Sequence, residues 1–423
     1  MSTTVVLGLL LLGGAAAWTV EIASNITVHM NHVESVPFSI HDTESNIDSI
    51  KLTLTTTDND IVTASAHLSV QNGTSLNGVL NITGVFLGRT TLIFTLLLEN
   101  GTEDSREVAR ISVVREERVI DTIFTASVAI LVSILYINYG CAMDWDVCRD
   151  TLKKPIGPVI GFFCQFLMMP LLSYIIGRTL FPGVPEMQIG MFFTGVSPSG
   201  GASNIWTVLL DGNLNLSITM TTMCTIAAFA MMPLWIFTLG RHIFAQGKLT
   251  VPYRQIGTFV IGLIIPLVIG FFVQKKLPKV SRIMVRIMKP FSIILIAFIV
   301  VFAIVTNLYL FKLFSWKILI AGMGLPWLGF TFGFIAAKLC RQPEADIRAI
   351  AIETGIQNTG VSIFLLRFTL NPPDDDLTTV VPVAAAIMTP VPLVILYVIK
   401  LIYQYKQKTK AKLDPIPTLD ESN

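Results

Sequence analysis

The sequence predicts a polytopic α-helical membrane protein with an N-terminal β-sandwich-like ectodomain. Three observations predict it. Of 423 residues, 52% are hydrophobic and only 14% charged, too little polar surface for a soluble domain, and the mean hydropathy is +0.68. Acidic residues are unevenly spread: 13 of the 28 lie between Glu21 and Glu117. Past Val119 the period-two alternation of the first hundred residues gives way to long apolar runs. These features exclude a soluble enzyme and a disordered scaffold. No basic block with interleaved aromatics is present, which excludes a nucleic-acid partner.

The first element is a short apolar run, Val5 to Ala17, ending in three alanines. It reads as a signal peptide over 1–17, cleaved before Trp18. Residues 18–118 read as a β-rich extracellular or lumenal domain. Strands are expected at Ile50–Leu54, Ile61–Leu68, Thr91–Leu98 and Ala109–Val114, with turns at Asp58-Asn59-Asp60, Gln71-Asn72-Gly73 and Glu99-Asn100-Gly101. Asn25-Ile26-Thr27, Asn72-Gly73-Thr74 and Asn81-Ile82-Thr83 are glycosylation sequons. All five cysteines lie later, at 141, 148, 164, 224 and 340, so the ectodomain has no disulfide; their spacing fits no zinc site.

Residues 119–403 contain nine apolar runs: 119–139, 156–178, 187–210, 215–239, 255–274, 289–310, 315–338, 347–370 and 378–403. With the ectodomain outside, 17 basic residues flank the cytoplasmic ends and seven the opposite ends. The positive-inside rule then places the N-terminus out and the C-terminus, with its tail 404–423, in the cytoplasm. The reading puts the protein in the plasma membrane rather than an internal secretory-pathway membrane.

Glu353 is the acidic residue deep in an expected span. A charge at that depth costs several kcal/mol, about 2.5–3.5 on an insertion scale. It either protonates, pairs with a neighbouring span, or binds a cation. Its surroundings favour the cation: in Glu353-Thr354-Gly355-Ile356-Gln357-Asn358-Thr359-Gly360, Glu353 and Gln357 share a helical face and two glycines permit a break. An all-oxygen cage of this kind suits a hard monovalent ion. A second interrupted stretch runs from Thr194 to Asn204 and contains Pro198, Gly200 and Gly201. Ser203 and Asn204 supply oxygens there, and Thr221 follows closely. Gln165 is an amide in an apolar helix that needs a partner. The interrupted stretches are followed by prolines at similar spacing, 38 residues from Gly195 to Pro233 and 35 from Gly355 to Pro390. The two spans enter from opposite sides, as in an inverted repeat with a midplane site.

Several blocks resemble the bile acid:sodium symporter family: Gly140-Cys141-Ala142-Met143, Gln165, Met169-Pro170-Leu171, Gly201-Ala202-Ser203-Asn204, Asn215 to Thr222, and Glu353 to Asn358. The resemblance implies a core domain of spans two, three, four, seven, eight and nine, with spans three and eight as crossing discontinuous helices. Spans one, five and six form a panel domain. It also implies two sodium sites. One corresponds to Ser203, Asn204, Ser217, Thr221 and Glu353; the other to Gln165, Glu353 and Gln357. No cofactor is implied; Na+ is the coupling ion. The implied activity is alternating-access symport of sodium with an amphipathic organic anion such as a bile acid or sulfated steroid. The β-rich ectodomain departs from the better-known members, so substrate transfers less firmly than ion coupling. Two other classes stay open: a carrier of this fold with another coupling ion or substrate, and a receptor or adhesion protein whose ectodomain binds a protein partner. An enzyme has no Ser/His/Asp arrangement or metal cluster to support it.

Overall fold

The computed structural model describes residues 18–42, 51–72, 75–97, 103–116, 119–143, 145–247, 249, 251–287 and 312–413. The signal-peptide run, the sixth apolar run and the end of the C-terminal tail lie outside the described residues. So do the turn over Glu99-Asn100-Gly101 and part of that over Gln71-Asn72-Gly73. The chain divides into two compact units. One comprises residues through Val119 together with Asn371–Leu377; the other holds Ile120–Leu370 and Thr378 onward.

Among the described residues, the first unit has eight strands: β1 Trp18–Glu21, β2 Asn25–His29, β3 Val33–Asp42, β4 Lys51–Thr56, β5 Val62–Asn72, β6 Ser75–Gly84, β7 Gly88–Leu97 and β8 Glu103–Val114. They form two four-stranded sheets, β1-β3-β6-β5 and β2-β8-β7-β4. Every ladder is antiparallel except β2–β8, which pairs Asn25 with Arg110 in parallel. Alternate residues turn inward, so Ile26, Val28, Phe38, Ile40, Leu80, Ile82, Leu92, Phe94, Ile111 and Val113 share one buried core. Phe38 of one sheet meets Phe94 of the other edge-on, with centroids 5.3 Å apart. Buried Trp18 donates its indole N–H to Asp104 at 2.6 Å, and Arg106 lies 4.4 Å above the ring. The four expected strands are present. Four more were not legible. β3 contains Pro37, and β6 contains Asn77 and Gly78, residues that read as breaks although the β3–β6 ladder passes through both segments. β1 and β2 are only four and five residues long.

The second unit is helical. Its elements are α1 Val119–Ala142, α2 Trp145–Leu152, α3 Ile156–Phe163, α4 Met169–Leu180, α5 Pro185–Val196, α6 Ser203–Leu209, α7 Leu214–Trp235, α8 Arg241–Gln246 and α9 Tyr253–Lys276. α10 covers 278–287. There follow α11 Trp316–Leu339, α12 Glu344–Gly355, α13 Thr359–Thr369, α15 Val380–Met388 and α16 Pro390–Leu413; α14, Asp374–Leu377, belongs to the β unit. Among the described residues, five helical runs are long and apolar enough to cross a membrane: Ile156–Leu180, Leu214–Gln246, Tyr253–Lys276, Trp316–Leu339 and Asp374–Gln407. The third and eighth apolar runs of the sequence are each two shorter helices, α5/α6 and α12/α13.

The run Ile156–Leu180 is continuous but contains a π-turn, Cys164–Met168, which carries Gln165. Pro170 has no amide to give Phe166 O, and the Trp235 indole N–H fills that position at 2.7 Å. The same device recurs at the other end of the unit. Pro392 has no amide for Met388 O, which accepts from the Trp327 indole N–H at 3.2 Å. In both places an amphipathic aromatic side chain satisfies a carbonyl that membrane lipid cannot.

Candidate sodium site at two facing helix breaks

The two interruptions face one another. Ser199 and Gln357 form an antiparallel bridge. Gly200 N–H donates to Ile356 O at 2.8 Å, and Asn358 N–H donates to Pro198 O at 2.8 Å. Pro198 prevents α5 from continuing, and its carbonyl is used across the break. Asn358 caps α13 by accepting from Val361 N–H at 3.2 Å. The C-terminal ends of α5 and α12 and the N-terminal ends of α6 and α13 meet at this crossing, so it offers both freed carbonyls and freed amides.

Glu353 sits in the last turn of α12, just ahead of Thr354 and Gly355, and is 1% exposed. Its carboxylate accepts from Thr221 Oγ1 at 2.5 Å on Oε1, while Ser217 Oγ stands 3.0 Å from Oε2. Ser217 Oγ is also 2.8 Å from Asn204 Oδ1, so its single proton serves one of the two acceptors. Thr221 Oγ1 is 3.5 Å from Asn204 Oδ1. Ser217 and Thr221 are one turn apart on α7, whose N-terminus Asn213 caps by accepting from Leu216 N–H. Ser203 opens α6 fully buried beside the Glu353 carboxylate, its Oγ outside close hydrogen-bond geometry. Helices α6, α7 and α12 thus bring Asn204, Ser217, Thr221 and Glu353 into direct contact. The set is rich in oxygen and lacks a cationic side chain to balance the carboxylate. Such an uncompensated buried carboxylate among neutral oxygens is the chemistry that a dehydrated monovalent cation requires.

Gln165 and Gln357 form a second cluster. Gln165 Nε2 donates to Gln357 Oε1 at 2.8 Å and to Ser197 O at 2.8 Å. Gln357 Nε2 donates to Thr354 O at 2.8 Å and lies 3.3 Å from Gln165 Oε1. The partners that Gln165 requires therefore come from both interruptions. Glu353 joins the crossing through its backbone, whose carbonyl accepts from Ser199 Oγ at 3.0 Å. Its carboxylate makes its hydrogen bonds to the α7 hydroxyls, and no bond links it to the two glutamines among the described residues.

Sequence reasoning did not single out Ser199 or Thr207. Thr207, buried on α6, lies with Oγ1 3.2 Å from Ser217 Oγ. The available signal was spacing: Thr207 follows Ser203 by four residues and so shares its helical face.

Residues 129–313 match the family described as the Sodium Bile acid symporter family. The ileal sodium/bile acid cotransporter of Mus musculus is 29% identical over 317 residues, covering 72% of this chain and 90% of the relative. That of Cricetulus griseus is 31% identical over 269 residues, covering 64% of this chain and 77% of the relative. A sodium-dependent organic anion transporter of Bos taurus is 34% identical over 256 residues, covering 59% of this chain and 65% of the relative. The chain belongs to the sodium bile acid symporter family and is a transporter rather than a catalytic enzyme.

Proposed function

We propose that the protein is a sodium-coupled symporter of an amphipathic organic anion, a bile acid or sulfated steroid being the best-supported class. The observation that carries this reading is the buried Glu353 carboxylate, held by Ser217 and Thr221 beside two facing helix breaks. The names of the relatives support the pairing of sodium with an organic anion.

Ser203, Asn204, Ser217, Thr221 and Glu353 form the first sodium site. Gln165 and Gln357, with a share of the Glu353 charge, form the second. Sodium entry is driven by its gradient and by the membrane potential, worth about 2.3 kcal/mol per charge per 100 mV. Two cations offset one shared carboxylate and favour the orientation of the core that holds them together. The two broken spans are the crossing pair of an inverted repeat in a nine-span body, N-terminus out and C-terminus in. The substrate binds beside the crossing, between core and panel. A signal peptide delivers the chain to the secretory pathway and thence to the plasma membrane, where the β unit is extracellular.

The deciding experiment is tracer uptake into cells with and without external sodium. It uses a panel of bile acids and steroid sulfates, normalised to surface protein. Sodium-dependent uptake of at least one anion is expected. Uptake driven equally by a proton gradient without sodium would transfer the Glu353 site to proton coupling. Ectodomain binding with no uptake of any anion would favour a receptor.

A further inference from the structure

We propose that Tyr139 of α1 is a positioning residue for the sodium site, its hydroxyl bracing the unwound stretch that delivers Ser203 and Asn204. The inference rests on the sodium-coupled reading above.

The rotation of α1 is fixed by its contacts with α9. A Cβ on Gly140 would fall 2.2 Å from Leu267 O and 2.8 Å from Phe271 N, so the two backbones touch there. Cys141 Sγ donates to Gly270 O at 3.4 Å, and the Gln274 amide donates to Cys141 O at 3.1 Å. A Cβ on Gly270 would fall 2.1 Å from Ile137 O, so residues 137, 140 and 141 face α9, and residues 136, 139 and 143 form the adjoining face. Tyr136 is buried there against Phe229 of α7, at 6.4 Å between centroids, and Tyr139 packs edge-on against Tyr136 at 5.8 Å.

This packing aims Tyr139 at the first helix break. Its Oη lies 2.7 Å from the point that a Cβ on Gly201 would occupy, with Cε1 at 3.3 Å and Cζ at 3.4 Å. The Gly201 backbone amide is the hydroxyl's polar neighbour, and Glu353 is the carboxylate whose charge reaches it. Gly201 is two residues before Ser203 and next to Gly200, whose amide is spent on Ile356 O. The unwound stretch is thus held from two sides, by the second break and by α1. Glycine at 201 is needed for the close approach: any side chain there meets the phenol first.

A phenol at this point links α1 to the sodium ligands. When the hydroxyl engages Gly201, the start of α6 is fixed and Ser203 and Asn204 are presented to the ion. When α1 moves relative to the break, that support is lost. Sodium occupancy and the seating of α1 therefore favour one another.

The test uses purified full-length protein and sodium alone as the probe. Thermal unfolding is followed over a sodium chloride titration against choline chloride at constant ionic strength. Wild type is expected to gain stability with sodium. Tyr139→Phe keeps the ring and its packing and removes the hydroxyl. Its melting temperature in choline should match wild type, while its half-saturating sodium concentration rises about threefold or more, the range for loss of one neutral hydrogen bond. Gly201→Ala approaches the same contact from the other side. It should weaken sodium binding, and Tyr139→Phe/Gly201→Ala should be less impaired than the two singles combined, because the closest clash is with Oη. A sodium titration of Tyr139→Phe identical to wild type overturns the inference and leaves the sodium reading standing. A lower melting temperature in choline with unchanged sodium half-saturation shows a merely structural role and also overturns it. No sodium response in wild type overturns the sodium reading and this inference together. If Tyr139→Phe does not fold, an unchanged sodium titration for Gly201→Ala is itself sufficient to reject the inference.

Discussion

Thr221 Oγ1 lies 2.5 Å from Glu353 Oε1, so a hydroxyl on α7 touches the buried carboxylate of α12. The same hydroxyl is 3.0 Å from Ser217 O one turn back, the ordinary resting place of a helical threonine. Thr221 therefore stands between its own helix and the carboxylate of the proposed ion site. Thr221→Ala should raise the sodium concentration for half-maximal uptake by about tenfold, the size expected for losing one ligand to a charged group. Glu353→Gln keeps the shape and removes the charge. It should abolish sodium-dependent uptake while surface abundance stays near wild type. Sodium-dependent transport of normal size by Glu353→Gln would reject the carboxylate as a sodium ligand.

The glutamine pair predicts coupling between distant segments. Gln165 sits on the π-turn of the second span and Gln357 between α12 and α13, 192 residues later, with their amides in contact. Gln165→Ala and Gln357→Ala should each weaken sodium activation. Because they share one contact, the double variant should lose less than the product of the two single effects. The single changes should lower the steepness of the sodium activation curve if they act at a second ion. Additive effects with unaltered steepness would leave the pair as packing only.

Much of this site was legible because membrane burial makes polar residues conspicuous. Glu353 in an apolar run required compensation, and the Gly-Pro-Ser composition of Thr194–Asn204 marked a break. The meeting of Gln165 with Gln357 followed from the resemblance, since nothing local to Phe162–Phe166 names a partner. What the residues did not disclose was the split at the crossing: the Glu353 side chain turns to the α7 hydroxyls, while the glutamines bond each other and backbone carbonyls. That depends on side-chain direction at a helix end. Tyr139 was likewise hidden, because a tyrosine in an apolar helix reads as packing until Gly201 is seen beneath it. In the β unit, Pro37, Asn77 and Gly78 masked two of the longer strands.

Asp374 makes a different kind of prediction. It lies in the short segment Asn371–Leu377 that belongs to the β unit, where it pairs with Arg89 of β7; Asp376 pairs with Arg115 at 3.6 Å. Burial pushes the Asp374 carboxyl up from its ordinary range, and Arg89 draws it partly back. A carboxyl whose folded value is raised binds its proton more readily in the folded state. Its contribution to stability is therefore best at low pH and falls as pH rises from the unfolded value, about 3.9, through the folded one. Arg89→Ala removes the charge that offsets burial and should raise the carboxyl further. Hydrogen exchange of β7 and β8 in the full-length protein should be faster in Arg89→Ala than in wild type at pH 7.5. The deficit in protection, after correction for intrinsic exchange, should shrink toward pH 5. Equal deficits at both pH values would show that Asp374 does not titrate with the pair.

The sequons test both the β unit and its side of the membrane. Asn25 is exposed at the start of edge strand β2 and Thr27 is exposed two residues on, while Ile26 between them turns into the core. Asn81 lies on β6, within its sheet, opposite Ser35 and Ser65, with its Oδ1 accepting from Ser35 Oγ at 2.8 Å. Those small neighbours leave room above the sheet for a sugar on Asn81. Asn72-Gly73-Thr74 and a further triplet, Asn100-Gly101-Thr102, reach outside the described residues. Asn215 starts the first turn of α7, two residues before Ser217 of the ion site. If the β unit is extracellular and the fourth span begins at the cytoplasmic face, Asn25→Gln and Asn81→Gln should each remove one glycosidase-sensitive step on a gel, and Asn215→Gln none. Glycan on Asn215 with none on Asn25 or Asn81 would invert the orientation. The proposed sodium site would survive that outcome, since Glu353, Ser217 and Thr221 meet whichever way the body is inserted. The direction of the coupling gradient would not, and uptake would then have to be read as export.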